Sequence, residues 1–247
     1  MMKLEFDKPL KYGIIQLRSS QFIMSVLVDD RIEKAHCPTT GRIGDIELKG
    51  VACLMSVSND RNRKTKYTVE AISVDNLDVK EKRWIGINQI YSNKYVEFLL
   101  ETHQLDEMVK DYHLIKREVN LGVSKLDFLV GNTYLEVKSP LQTLQIEYGT
   151  NIKRKKMSPF SSTDRMVKHI NELAGSLRES EKAILLVVFQ YDNTGFEVIH
   201  KSTNYEQVKA QMSTCIEKGI EVWQVNMRID ETGIALTNYF EITNRFI

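Results

Sequence analysis

Cysteine, proline and uncompensated charge are the scarce things in this chain. There are 3 cysteines in 247 residues. Cys37, Cys53 and Cys215 stand far apart, which is not a disulfide framework. The histidines never fall at zinc-ligand spacing with them. Basic and acidic residues number 34 and 33, a net charge of +1, so the molecule carries no overall basic field and any nucleic-acid surface has to be local. The longest uninterrupted apolar run is Ala183–Phe189, far short of the roughly 20 residues that cross a bilayer. The first residues (Met1, Met2, Lys3, Leu4, Glu5) lack the apolar core of a signal peptide, so a cytoplasmic location without a membrane partner is the default expectation. Phosphate-loop, serine-elbow and HExxH patterns are missing too. What is present is ordinary: hydrophobic residues make up 42% and charged residues 27%, as in a folded protein of one large or two modest domains.

The first third reads as short strands. Tyr12–Arg18, Phe22–Val28, Val51–Val57, Tyr67–Val74 and Trp84–Ile90 are rich in β-branched and aromatic residues, with turn-forming stretches between them. Five such strands suggest a small barrel or sandwich. From about Asn93 the pattern changes. A helix follows an Asn93 cap, then strands at Leu114–Leu121, Ser124–Val130 and Thr133–Ser139. A long helix at Thr163–Ser180 precedes a buried strand at Ala183–Gln190. A helix at Tyr205–Lys218 and strands at Glu221–Ile229 and Ile234–Ile242 complete the chain. Helices interleaved with strands imply an α/β layer structure, and the expected division is residues 1–90 and 91–247.

The chemistry concentrates in Lys125–Lys138. Two alternating strands flank Gly131-Asn132, which suits a two-residue hairpin. Counting outward pairs Val130 with Thr133, Leu129 with Tyr134, Phe128 with Leu135, and Asp127 with Glu136. Lys125, Asp127, Glu136 and Lys138 then share one face, and Leu126, Phe128, Leu135 and Val137 the other. Two carboxylates about 5 Å apart across a strand pair repel. Either flanking lysines neutralise them on a solvated hairpin, or a divalent cation lies between them, since Mg²⁺ commonly takes one or two protein carboxylates and leaves its other positions to water and phosphate. In the second case Lys138 stands beside the reacting water or the phosphoryl oxygen. Repulsion also predicts that Asp127→Asn raises metal-free stability.

Positive charge gathers at Arg61, Arg63, Lys64 and Lys66, and again at Lys153, Arg154, Lys155 and Lys156. Such runs are either solvated surface or phosphate contacts. Thr39 and Thr40, in a loop fixed by Pro38 and Gly41, are candidate donors to phosphate. On the helix from Thr163 the apolar stripe of Met166, Val167, Ile170, Leu173, Ala174 and Leu177 is core. Arg165, Lys168 and His169 lie off it and are further candidates for contact with nucleic acid, and His169 is also a candidate proton carrier.

Asp127 followed by Glu136-Val137-Lys138 resembles the PD-(D/E)xK nuclease pattern. The wider set resembles the sugar fermentation stimulation protein family (SfsA). It comprises Ala35–Gly41, Arg63-Lys64 through Tyr67 and Glu70, Trp84–Asn88, Asn93–Glu97, Arg117–Val119, Lys125–Phe128, Glu136–Lys138, Thr163-Asp164-Arg165 with Lys168-His169, and the strand ending at Gln190. These run in family order along most of the chain. The resemblance implies an α/β two-domain protein: an OB-like β-barrel that binds nucleic acid, then a PD-(D/E)xK nuclease-like domain with a mixed central sheet. It implies metal-dependent hydrolysis of DNA or RNA with Mg²⁺ or Mn²⁺ on Asp127 and Glu136, Lys138 as catalytic lysine, and Glu97 and Gln190 completing the site, with no small-molecule cofactor. The family name suggests a competing class, a non-catalytic DNA-binding regulator of sugar metabolism genes.

Overall fold

In the computed structural model, residues 2–60, 62–121, 124–159, 164–178, 180–198 and 201–246 are described. Arg61, Thr163 and the side chain of Arg165, which the sequence singles out, lie outside them. Strands β1 (Lys3–Glu5), β2 (Lys11–Arg18), β3 (Ile23–Val28), β4 (Arg31–His36), β5 (Ala52–Val57), β6 (Tyr67–Ser73) and β7 (Ile85–Gly86) occupy the first third. They are followed by α1 (Ser92–Glu101), β8 (Ile115–Leu121), β9 (Ser124–Val130), β10 (Thr133–Lys138), α2 (Asp164–Ser176), β11 (Lys182–Phe189), α3 (Tyr205–Glu217), β12 (Glu221–Ile229) and β13 (Gly233–Glu241).

Alternation builds the barrel. Met24, Val26 and Val28 of β3 are buried while their neighbours are half-exposed, the period-2 mark of a strand with one face on a core. The sheet runs β4-β3-β2-β5-β6-β7, and a parallel pairing of Ala35 with Tyr67 and of His36 with Thr68 joins β4 to β6 and closes five strands into a barrel. Its fifth strand differs from the expected one. Of Trp84–Ile90 only Ile85–Gly86 is strand, and the chain then turns through a 3-10 segment at Gln89–Tyr91. The closing strand is β4, joined to β3 by a two-residue hairpin. Val28 pairs with Arg31, and Asp29 and Asp30 between them have φ of 47° and 59°. That is the left-handed pair a tight hairpin turn demands and aspartate tolerates better than most residues.

The second sheet has the order β1-β13-β12-β11-β10-β9-β8, with β10, β11 and β12 parallel and the flanking pairs antiparallel. It is therefore mixed. Helices α2 and α3 make the crossovers, and because helices cover both faces the central β11 is buried almost throughout. β1 pairs with β13 at one edge, so residues 3–5 belong to this sheet and not to the barrel. One hydrophobic core joins the barrel interior to the α2 face through Ile15, Met24, Ile170, Leu173 and Leu185. The other joins Leu54 and Ala71 on the barrel's outside to Tyr95, Val96 and Leu99 of α1. Trp84 is buried in that second core, edge-on to Tyr12 at 6.3 Å. No described helix is long and apolar enough to cross a membrane.

Candidate active site

The hairpin of β9 and β10 has the expected register up to a point. Val130 pairs with Thr133, Leu129 with Tyr134 and Phe128 with Leu135, and there the pairing stops. Gly131 takes φ of 53°, and a Cβ there would meet the Asp111 carbonyl oxygen at 2.7 Å, which is why glycine occupies the turn. Beyond Phe128 the two strands part. Asp127 does not stand as the cross-strand partner of Glu136. Its Oδ2 accepts the Val137 backbone N–H at 2.7 Å, replacing the ladder bond the partner strand no longer makes, and its Oδ1 accepts the Asn93 side-chain amide at 2.8 Å. On the other side, β8 pairs at Arg117–Phe128 and again at Val119–Leu126, with Glu118 between at φ of 53°. The face expectation changes accordingly: Phe128, Leu135 and Val137 share a core, whereas Leu126 packs in the other one. Lys125 leaves the group and pairs with Glu118 at 2.6 Å.

Glu136 is the most buried member of the constellation, at 1% exposure. Its Oε1 is contacted by the Lys138 ammonium and by His169 Nδ1 of α2. Its Oε2 is enclosed and has no hydrogen-bond partner among the described residues. Lys138 and His169 are still partly accessible, at 30% and 16% of their side chains. Asp127, Glu136, Lys138 and His169 all line one cleft of about 1040 Å³. Asn93, Ser92 and Ser139 form its near rim, and Phe196, Tyr205 and Arg245 belong to its lining further along the chain. Among the described residues no three His, Cys, Asp or Glu side chains cluster as a ready metal cage.

Other expected residues are placed differently. Glu97 on α1 pairs with Arg117 at 2.9 Å and does not line the cleft. Gln190 is buried behind it, donating to the Asn88 carbonyl at 2.9 Å and to Ser92 Oγ at 3.1 Å. Ser92 Oγ in turn accepts from Ser139 Oγ at 2.8 Å, so Gln190 steadies the residue that follows Lys138. Thr39 is buried and donates to Gln89 Oε1 at 2.5 Å, while Gln89 donates to the Ser139 carbonyl at 2.5 Å. It ties the barrel to the end of β10 and has no hydroxyl proton to spare for phosphate. Thr40 is exposed.

Of the basic residues, Arg63 donates to Thr68 Oγ1 at 2.8 Å and Lys66 sits 5.3 Å from the Tyr67 ring centre. Arg154 is bound to Asp45, with Nε donating at 2.8 Å, and lies over the Tyr148 ring. Burial works to raise the Asp45 carboxyl, but hydrogen bonds from Arg154 and Tyr148 outweigh it and hold the group below the usual carboxylate range. The backbone of this segment is stitched to the barrel, with Glu47 N–H donating to the Lys153 carbonyl at 2.8 Å and Lys155 N–H to the Asp45 carbonyl at 2.6 Å. The side chains of Lys64, Lys153 and Lys155 are exposed, and Lys168 faces Glu172 at 4.0 Å one turn along α2. The sequence reading missed Asn93 as the amide on Asp127, having read it as a helix cap; the cap position is Tyr91 and carries no side-chain bond. Nothing local marks Arg245 or Tyr205 as cleft residues, because only the fold brings them there.

Comparison with known proteins now decides the family. The description "Sugar fermentation stimulation protein RE domain" matches residues 90–233, and "SfsA N-terminal OB domain" matches residues 17–87. The chain belongs to the sugar fermentation stimulation protein family. A homologue of that name from Pseudoalteromonas atlantica is 31% identical over 94% of this chain and 97% of its own length. One from a Cyanothece species is 30% identical over 92% of both chains. A solved structure, Pyrococcus furiosus SfsA in complex with Ca²⁺, is 23% identical, has a TM-score of 0.72 and covers 97% of this chain and 98% of its own. It shares the fold: an OB barrel followed by an α/β unit with a mixed sheet.

Proposed function

We propose that this SfsA-family chain is a metal-dependent nuclease that hydrolyses phosphodiester bonds of DNA or RNA. The observation that carries the reading is Glu136, a carboxylate at 1% exposure whose Oε2 has no partner among the described residues, on a cleft shared with Asp127 and Lys138. An unsatisfied buried oxygen of a charged group is costly, by about 1–3 kcal/mol or more, so its partner is expected to be a cation. Two carboxylates, with no cluster of three His, Cys, Asp or Glu side chains among the described residues, suit Mg²⁺ or Mn²⁺, whose remaining positions go to water and substrate phosphate. The Ca²⁺ carried by the Pyrococcus furiosus protein, a hard cation of the same class, supports this choice.

Asp127 and Glu136 would hold the ion, which when bound supplies Lewis acidity toward a phosphoryl oxygen and eases ionisation of water. Val137 N–H and Asn93 hold Asp127 in place. Lys138 sets a positive charge beside the site, where negative charge develops on the phosphoryl group. His169 fixes the same Glu136 oxygen from α2 and is placed to carry a proton. In the net reaction the water oxygen bonds to phosphorus, one ester P–O bond breaks, and the departing sugar oxygen ends with a proton. The barrel of β2–β6, with exposed Lys64 beside it and exposed Lys153 and Lys155, would supply sequence-independent grip.

The test is cleavage of single- and double-stranded DNA and RNA with Mn²⁺ or Mg²⁺, beside Lys138→Ala and an EDTA control. Cleavage that EDTA abolishes and that the variant lowers by about 10²–10³-fold is expected. Tight binding with no metal-dependent cleavage would favour the non-catalytic regulator, and cleavage equal in both proteins would remove Lys138 from the mechanism.

A further inference from the structure

One stretch of the cleft lining has no part in the chemistry above. It comes from the loop around Phe196, the first turns of α3 and the 3-10 turn Thr243–Arg245 near the end of the chain. Buried amides fix the loop. Gln224 Oε1 accepts the Phe196 N–H at 2.8 Å, and Gln224 and Asn226 both donate to the Asn193 carbonyl, at 2.8 and 2.5 Å. Gln224 and Asn226 are both fully buried. Phe196 stacks on Phe246 with ring centres 5.8 Å apart and planes at 18°. Arg245 lies flat over Gly195, where a Cβ would come within 2.3 Å of its Nη1. Glycine therefore leaves the space that the guanidinium fills. Neither the Arg245 nor the Lys209 side chain makes a hydrogen bond or ion pair with a described residue, although both line the cleft.

We propose that this cleft takes a single nucleic-acid strand and not a duplex, with Arg245 and Lys209 on its phosphates and an unstacked base against Tyr205, Phe196 and Phe246. The inference rests on the nuclease reading and names its substrate class. Three observations carry it. Two cations with no hydrogen bond or ion pair to a described residue line the same cleft as the acid pair, which matches a polyanion lying along it. Aromatic rings beside cations are the pairing that binds single strands, because bases stacked in a duplex offer no ring face to a side chain. The cleft volume of about 1040 Å³, just above the roughly 300–1,000 Å³ range of small-molecule pockets, gives room for a nucleotide or two.

The experiment measures binding by fluorescence anisotropy in EDTA, so that no hydrolysis is needed. It uses a labelled 12-nucleotide strand as DNA and as RNA, and the corresponding duplexes, over a range of salt. The single strands should bind at least tenfold tighter than the duplexes. Arg245→Ala should weaken single-strand binding about tenfold and lower the slope of log K against log salt by about 0.7. Arg245→Lys should keep the slope, and Tyr205→Leu should weaken binding without changing it. Unchanged melting temperatures would show that the variants fold. Equal affinity for duplex and single strand, or no effect of Arg245→Ala, overturns the inference even if Mn²⁺-dependent cleavage is found. Single-strand preference that depends on Arg245, without cleavage by the wild type, upholds it and removes the nuclease reading alone.

Discussion

Two charged regions drew attention in the sequence, and the structure treats them differently. The basic stretch at 153–156 is exposed, yet its arginine is committed to Asp45 and Tyr148 and its backbone is sewn to the barrel. The acidic hairpin is largely buried, yet Glu136, which lines the cleft, keeps an oxygen with no partner among the described residues. Charge that is plentiful and local can be used up in holding two parts of a fold together. Charge that is costly to bury and still incompletely paired is the better sign of a missing ligand.

That contrast can be broken at three points. If Arg154 is structural, Arg154→Ala leaves the buried Asp45 carboxylate short of partners and should cost about 2 kcal/mol in urea unfolding, while Lys155→Ala, on an exposed neighbour, should cost close to nothing. Equal small effects would return Arg154 to the pool of free phosphate contacts. Asp127 sharpens the acid side. Repulsion alone predicts that Asp127→Asn stabilises the metal-free protein, but the structure predicts the reverse, because an amide cannot accept from both Val137 N–H and Asn93. Loss of about 1 kcal/mol should appear as a fall in melting temperature of about 2–4 °C, and a rise would restore the repulsion argument.

The smallest effect concerns a second buried acid, Glu70, on the barrel strand β6. Burial raises its carboxyl above the ordinary glutamate range, against the lowering effect of hydrogen bonds from Ser56 and Asn88. A raised carboxyl stabilises the fold while protonated, and that contribution disappears as pH rises through its folded value. Glu70→Gln should therefore remove the decline in stability that runs from the ordinary glutamate range up to that value, with a gain of roughly 0.5 kcal/mol at pH 8. Urea unfolding from pH 5 to 8 checks it, and an unchanged slope would show that Glu70 stays ionised.

The hairpin around Gly131-Asn132 was legible because its signal is entirely local: a turn pair that only certain residues tolerate, flanked by period-2 alternation. Counting from that turn gave the pairing of Leu135 with Phe128 and stopped being valid one residue later, where the strands part. The barrel was legible as a class, since four of its strands are rich in β-branched and aromatic residues and are bounded by turn-forming stretches. Its closing strand, Arg31–His36, was not, because charged residues fall on both of its faces, Ala35 alone is buried and Ile32 is exposed, so its only announcement is Asp29-Asp30. The two-residue β7 was overread for the opposite reason, an apolar stretch that serves the junction between the two sheets and forms little ladder of its own.

The sequence alone determined which residues could do chemistry: a hairpin carrying Asp127, Glu136 and Lys138, and helices and strands in α/β order. Residue type and short-range periodicity are enough for that. Only the tertiary structure decided which charges were left over. It turned Asp127 onto a backbone amide, brought His169 of α2 to Glu136, spent Arg154 on Asp45, and carried Arg245 from near the end of the chain to the cleft. Those outcomes depend on contacts between segments far apart in the chain, and the balance of burial against pairing exists only once both partners are in place.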